Sequence, residues 1–333
     1  MVRAWLAGVW LVGGIAQAQS YQWALGPSLP QPVQEIYPTV SDDRILVAGG
    51  LYLGEDGALL MTNRVWALTA GAEHWQSLPN LPQARHHAML VGTGDGTFAF
   101  GGFVESAEGQ WTNTNSVLFL GHNGAAWISR EAIPVMLSET VSAVLKDGIH
   151  LAGGRTATPS KNGQWLDNTD TDWHGVFNPQ SGIWTTAPPL PTPRNSACST
   201  VLNGNWHVIG GRTVAEGNVP THEMFNPATR KWQALPPLPQ AQAGLTCSAY
   251  QGNIYVFGGE YFTGDGGVFM EVWRYSPRKK SWQEVSTMPL PRHGLGSVVK
   301  DDKIWLIGGA AEAGAKDTRN TVSQFFLPSP VKQ

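Results

Sequence analysis

The sequence predicts an all-β protein built from six copies of one unit, and two periodic marks predict it. The first is a Gly-Gly pair closing an apolar run: Gly49-Gly50, Gly101-Gly102, Gly153-Gly154, Gly210-Gly211, Gly258-Gly259 and Gly308-Gly309. The runs read ILVAGG, TFAFGG, IHLAGG, WHVIGG, IYVFGG and IWLIGG, and the steps between pairs are 52, 52, 57, 48 and 50 residues. The second mark is a tryptophan on the same beat, at Trp23, Trp75, Trp127, Trp184, Trp232 and Trp282, followed by LP-type or PLP-type segments. A fixed period near 50 residues means one supersecondary unit repeated along the chain. Gly and Pro are abundant, at 39 and 23, but they fall in register with the repeats and so mark turns.

Each repeat carries the signals of four strands. In the fourth, residues 196–202 form a first strand, and Asn203-Gly204 makes the tight turn whose residues need positive φ. Residues 206–211 form the second strand, 212–220 a longer loop, 222–227 the third strand and 229–235 the outermost one. PPLP then crosses to the next repeat. The fifth repeat copies this order, and the sixth stops after its third strand, at Phe326 and Leu327. An unpaired strand with its Trp stands at the other end of the chain, over residues 21–25. The economical arrangement pairs it with the last repeat and removes an exposed edge.

These glycines and tryptophans resemble those of the kelch family, in which each repeat forms a four-stranded blade. The resemblance covers residues 21–327 and implies a six-bladed kelch β-propeller, its last blade completed by the N-terminal strand. The blades would span approximately 34–78, 86–130, 138–187, 195–235, 243–285 and 293–327 plus 21–25, one domain over 19–333. The resemblance says less about function, because kelch propellers include both enzymes and binding modules. More distantly, the chain looks like exported bacterial kelch proteins that include periplasmic N-acetylneuraminate epimerases, or mutarotases. It departs from that pattern in the third repeat, where Leu137-Ser138-Glu139 replaces an arginine-bearing run.

Residues 1–18 read as a secretion signal. Arg3 supplies the charged start, residues 5–16 the apolar stretch, and Ala16-Gln17-Ala18 the small-residue cleavage site. The apolar stretch is too short to span a bilayer. The mature protein is expected in the periplasm or secreted, without stable membrane insertion, and as a monomer. Removing Arg3 takes the formal charge from −3 to −4, and no basic patch marks a nucleic-acid partner. Cys198 and Cys247 occupy near-equivalent places on the first strands of successive repeats. They are read either as a disulfide of an exported protein or as two small buried thiols.

Alternating strands put the longer loops on one face, at 51–62, 103–114, 155–172, 212–221, 260–270 and 310–320, and loops on a rigid scaffold carry most binding sites. Ten residues after each Trp comes one ring of positions: Val33, Arg85, Leu137, Arg194, Gln242 and Arg292. The next position reads Gln34, His86, Ser138, Asn195, Ala243 and His293, and just beyond each diglycine stand Leu51, Phe103, Arg155, Arg212, Glu260 and Ala310. Guanidinium groups suit carboxylate recognition. The ligand-binding set is therefore Arg85, Arg194, Arg292, Arg155, Arg212 and Gln242, with Trp165 and Tyr261 from the loops. If the protein is an enzyme, His293, His86 and Glu260 are the acid–base groups. No HExxH or other spaced ligand set is present among the nine histidines, so neither a metal nor a cofactor is expected. The expected function is recognition of a protein or glycan on the long-loop face. The alternative is an isomerase or mutarotase of an acidic sugar such as sialic acid.

Overall fold

The computed structural model describes residues 20–328, and the segment expected to be a secretion signal, residues 1–18, lies outside them. Six four-stranded antiparallel sheets stand around one axis. From the axis outward, blade 1 runs Thr39–Ser41, Arg44–Ala48, Val65–Thr69 and Gln76–Ser77. Blade 4 runs Cys198–Leu202, Asn205–Ile209, His222–Asn226 and Lys231–Ala234. Blade 6 takes its three inner strands from Gly296–Lys300, Lys303–Ile307 and Val322–Phe326. Its outer strand is Gln22–Leu25, paired Gln22 to Phe326 and Leu25 to Ser323. The first and last strands among the described residues thus close the propeller, as the unpaired Trp23 segment implies.

The second strands are apolar without alternation because neighbouring blades cover both of their faces. Among the described residues the buried apolar side chains form six clusters, each shared by two adjacent blades. Trp206, Val208 and Phe225 of blade 4 pack with Val141, Ala143 and Ala152 of blade 3. Val47 and Trp66 of blade 1 pack with Trp305 and Ile307 of blade 6, so the core is continuous around the ring.

Two further contacts repeat around the axis. The indoles of Trp75, Trp127, Trp232 and Trp282 donate to the carbonyls of Pro27, Pro79, Pro188 and Pro236, stapling each blade to the crossing before it. The second glycine of every pair donates its N–H to the next blade's ring residue, from Gly50 to Arg85 O through Gly309 to Val33 O. The first glycine lies against the same carbonyl. A Cβ on Gly258 would sit 2.1 Å from Arg292 O, at a φ of +64°. The diglycine is therefore a blade-to-blade seam that needs both close approach and left-handed backbone.

Cys198 and Cys247 form a disulfide between the axial strands of blades 4 and 5, with Cα atoms 5.7 Å apart. The bridge lines an axial channel of about 260 Å³ whose wall comes from the innermost strands of all six blades.

Candidate functional site

The ring positions take on distinct duties once the blades assemble. Arg85, Arg194, Gln242 and Arg292 do not reach the channel mouth. Each is buried and donates to the carbonyl of the first glycine of its own blade, Gly101, Gly210, Gly258 and Gly308, at 3.2, 2.8, 3.2 and 2.9 Å. Most of their other donors are also occupied, the buried Arg292 Nε being an exception. Arg85 reaches Ser116, Arg292 reaches Thr321 O and Ser323, and Arg194 bonds the buried Glu223 carboxylate at 2.6 Å. Burial pushes the Arg85 and Arg292 guanidinium groups down to about 10. The expectation that this ring faces a ligand is thereby corrected: it is the knot that ties each blade's second strand to its entry loop.

The next position pairs with the residue after the diglycine in every blade: Gln34 with Leu51, His86 with Phe103, Ser138 with Arg155, Asn195 with Arg212, Ala243 with Glu260 and His293 with Ala310. This pairing carries the second strand past the diglycine into short two-stranded ribbons in blades 1 to 5. Five of the six longer loops are therefore built on hairpins.

One residue further on lies a ring that the sequence reading did not single out. Glu35, His87, Glu139, Ser196, Gly244 and Gly294 come twelve residues after each Trp, and all have positive φ, between 50° and 66°. Left-handed backbone turns them across the axis. Their backbones form a chain of hydrogen bonds: His87 N to Glu35 O, Glu35 N to Gly294 O, Gly294 N to Gly244 O, Gly244 N to Ser196 O, and Ser196 N to Glu139 O. Glu35, His87, Glu139 and Ser196 of this ring form the floor of a cavity of about 600 Å³ on the long-loop face. Non-glycine residues held in this conformation concentrate at functional sites. Their regular spacing was visible in the sequence; their conformation was not, because Glu, His and Ser carry no propensity that announces it.

The floor is charged, and its charges are paired internally. Glu35 accepts from His87 Nε2 at 2.8 Å. Burial alone would raise the Glu35 carboxyl, but His87, His293 and Arg212 hold it well below the usual range. Burial alone would lower His87, but Glu35 and Glu139 reverse this and raise it. The His86 and His87 Nδ1 atoms are 2.7 Å apart, and burial with the adjacent His87 keeps His86 neutral. Glu35, His87 and His86 thus form one chain of hydrogen bonds. Glu139 accepts from Ser196 Oγ at 2.5 Å and pairs with Arg155 at 3.1 Å. Arg212 bonds Glu260 at 2.6 Å, and Gly314 N donates to the same carboxylate. His293 Nε2 donates to Glu312 O and Gly314 O, which leaves its Nδ1 3.4 Å from Glu260 and 3.6 Å from Glu35.

An aromatic ring lies over each guanidinium in the cavity wall: Trp165 over Arg155 at 4.2 Å and Phe262 over Arg212 at 5.6 Å. Trp111 stands against His86 at 4.4 Å. Polar atoms without a partner gather behind this floor, at Gln34 Oε1, His86 Nε2, Arg212 Nε and His293 Nδ1. Of the residues expected at the site, the cavity is lined by His86, Arg155, Arg212, Glu260 and Trp165. His293 lies behind it, against Glu260. Tyr261 packs on Phe269 at 5.0 Å and faces a neighbouring groove instead.

Fold and site together define a six-bladed β-propeller with a cavity of small-molecule size at one end of its axis. Residues 140–326 match the model of the KLHDC2/KLHL20/DRC7 Kelch-repeats domain, and the chain belongs to the kelch-repeat family. It is similar to Kelch-like protein terF of Aspergillus terreus, with 27% identity over 307 residues, 89% of this chain and 65% of that protein. Beta-scruin of Limulus polyphemus is 30% identical over 161 residues, 48% of this chain and 17% of that protein. The chain thus spans less than two thirds of the length of these curated relatives. Among solved structures, that of YjhT matches with a TM-score of 0.75 over 93% of this chain and 99% of that one, at 15% identity, a likeness of fold.

Proposed function

We propose that the protein is a ligand-binding propeller whose cavity takes a small, neutral, hydroxyl-rich molecule of the carbohydrate class. The carrying observation is that the charges at the cavity are already cancelled within the protein. Arg155 stands on Glu139, Arg212 on Glu260 and His87 on Glu35. A ligand meeting such pairs gains from hydrogen bonds given and received together, as a hydroxyl supplies, more than from a net charge. The aromatic faces of Trp165 and Phe262 suit the C–H faces of a sugar ring. A cavity of about 600 Å³ is also of small-molecule size.

The alternative, an isomerase of a sugar, is favoured by the Glu35–His87–His86 chain, which joins a carboxylate to two imidazoles in contact. For an acidic sugar the ligand carboxylate would have to displace Glu139 or Glu260 from its guanidinium, so a neutral sugar is the better occupant. We also place the mature protein outside the cytoplasm. This rests on the leader at residues 1–18 and on the Cys198–Cys247 bridge, which an oxidising compartment favours.

The test is thermal shift and calorimetry of the mature chain against neutral hexoses, N-acetylhexosamines and N-acetylneuraminate. A neutral sugar is expected to raise the melting temperature, and Arg212→Ala to abolish that rise. A rise from N-acetylneuraminate alone would transfer the site to the acidic-sugar reading. No response to any sugar would leave the protein-partner reading in its place. Anomer exchange followed by NMR on a sugar that binds separates enzyme from binder.

A further inference from the structure

The cavity is graded along the axis. Its floor is the charged ring of Glu35, His87 and Glu139 with the walls Arg155, Arg212 and Glu260. Its mouth is apolar. Leu59 lines it from blade 1, Trp165 and Leu166 from blade 3, Val214 from blade 4 and Phe262 from blade 5. Trp165, Leu166, Val214 and Phe262 stand in solvent, 38%, 75%, 54% and 60% exposed. Scattered surface apolar residues are ordinary, but with the half-buried Leu59 these come from four blades and converge on one opening. The collar is not needed to hold the hairpins, since Leu166 and Val214 expose most of their surface. A free monosaccharide seated on the floor would leave this collar wet.

We infer that the occupant is an amphiphilic glycoside, entering sugar first and leaving an apolar aglycone against the collar. The inference rests on the proposed carbohydrate reading and names the class of carbohydrate. Two observations select this occupant over an apolar molecule or a charged one. The floor is polar and partly open: the Arg212 and Glu35 side chains retain 19% and 16% exposure, so the inner end of the ligand must make hydrogen bonds. The floor's charges are paired, so that end needs no charge of its own. Floor and collar line one continuous cavity, which a single molecule with a polar and an apolar end fills. A protein partner would engage the collar but would not account for the depth of the charged floor beneath it.

The experiment is a chain-length series on the mature protein. Methyl, butyl and hexyl glycosides of glucose, galactose, mannose and N-acetylglucosamine, in both anomers, are titrated by calorimetry alongside the free sugars and the matching alkanols. The expected result is a Kd that tightens along one series, with butyl at least about tenfold below methyl against a ceiling near fourfold per methylene. Leu166→Ser and Val214→Ser, both at exposed positions, are expected to flatten that dependence. A free sugar and its glycosides binding with one affinity would overturn the inference and leave the carbohydrate reading standing. An alkanol binding as tightly as the matching glycoside, or no member of the panel binding, would overturn both.

Discussion

At the scale of the residue, three successive positions after each Trp do three different jobs, and the third supplies the charged floor of the cavity. The ring position ties the blade internally, the next pairs with the residue beyond the diglycine, and the third turns across the axis. Arginine type and spacing alone do not separate a ligand contact from a structural knot, because a guanidinium serves a carbonyl and a carboxylate alike. What separates them is whether acceptors are waiting within the blade, which depends on the three-dimensional position of Gly101, Gly210 and Gly308. Arg155 and Arg212 were legible as cavity residues because they follow the diglycine onto the loop face. Glu35, His87 and Glu139 were one step further along the same count. A prediction follows for the knot. Arg194→Ala strips Glu223 of its buried partner and leaves Gly210 O and Val208 O without their donor. It is expected to cost about 3–5 kcal/mol in urea unfolding, the usual penalty for orphaning half of a buried pair. Ligand affinity of the folded fraction should be unchanged, and a lost affinity with intact stability would return Arg194 to the binding site.

At the scale of the element, the diglycine carries more information than any strand it ends. Its recurrence gave away the number of blades and where each second strand stops, because no other residue permits that approach to the next blade. The hairpins beyond it were not legible: their sequences are polar and varied, and the pairing of residues such as Arg155 with Ser138 depends on a partner seventeen positions earlier. The disulfide was likewise open until blades 4 and 5 brought Cys198 and Cys247 side by side. The two kinds of glycine in the chain give a matched test. Gly204, in a hairpin turn, has φ +76° and nothing within 4 Å of an added Cβ, whereas Gly258 has φ +64° and Arg292 O at 2.1 Å. Gly204→Ala should cost roughly 1–2 kcal/mol, the left-handed backbone alone. Gly258→Ala adds a steric clash with the neighbouring blade and should cost about 3 kcal/mol or more. Equal urea midpoints for the two variants would mean that the seam tolerates a Cβ and that its glycines serve only backbone conformation.

At the scale of the whole molecule, stability is shared among blade interfaces, and buried histidines at the interface between blades 3 and 4 and in blade 4 next to blade 5 make it depend on pH. His174 packs against Trp206 and Phe225 of the next blade while its Nδ1 donates to Pro188 O. His222 does the same against Tyr275 and Trp282, with Pro236 O as its acceptor and His207 as its neighbour. Burial holds His174 and His207 down to about 4, and burial with the adjacent His207 holds His222 down to about 3. In the unfolded chain the same groups take up protons near pH 6.5. Between pH 6.5 and about 4 the unfolded state therefore binds more protons, and folding stability must fall as the pH falls. The contribution is fully present above 6.5. Each histidine can surrender at most about 3 kcal/mol across this window, by the usual 1.36 kcal/mol per unit. His87 opposes the trend, since Glu35 and Glu139 raise it and its pairing strengthens the fold as it protonates. With His86 and His150 also lowered by burial, five lowered imidazoles against one raised leave a net loss on acidification. Urea midpoints at pH 7.5, 6.5, 5.5 and 4.5 should decline steadily. His222→Gln, which keeps a donor for Pro236 O and cannot titrate, should make the decline shallower. A midpoint that holds constant from pH 7.5 to 5 would show that these imidazoles protonate without opening the blade interfaces, and the propeller would then owe its acid response to the carboxylates alone.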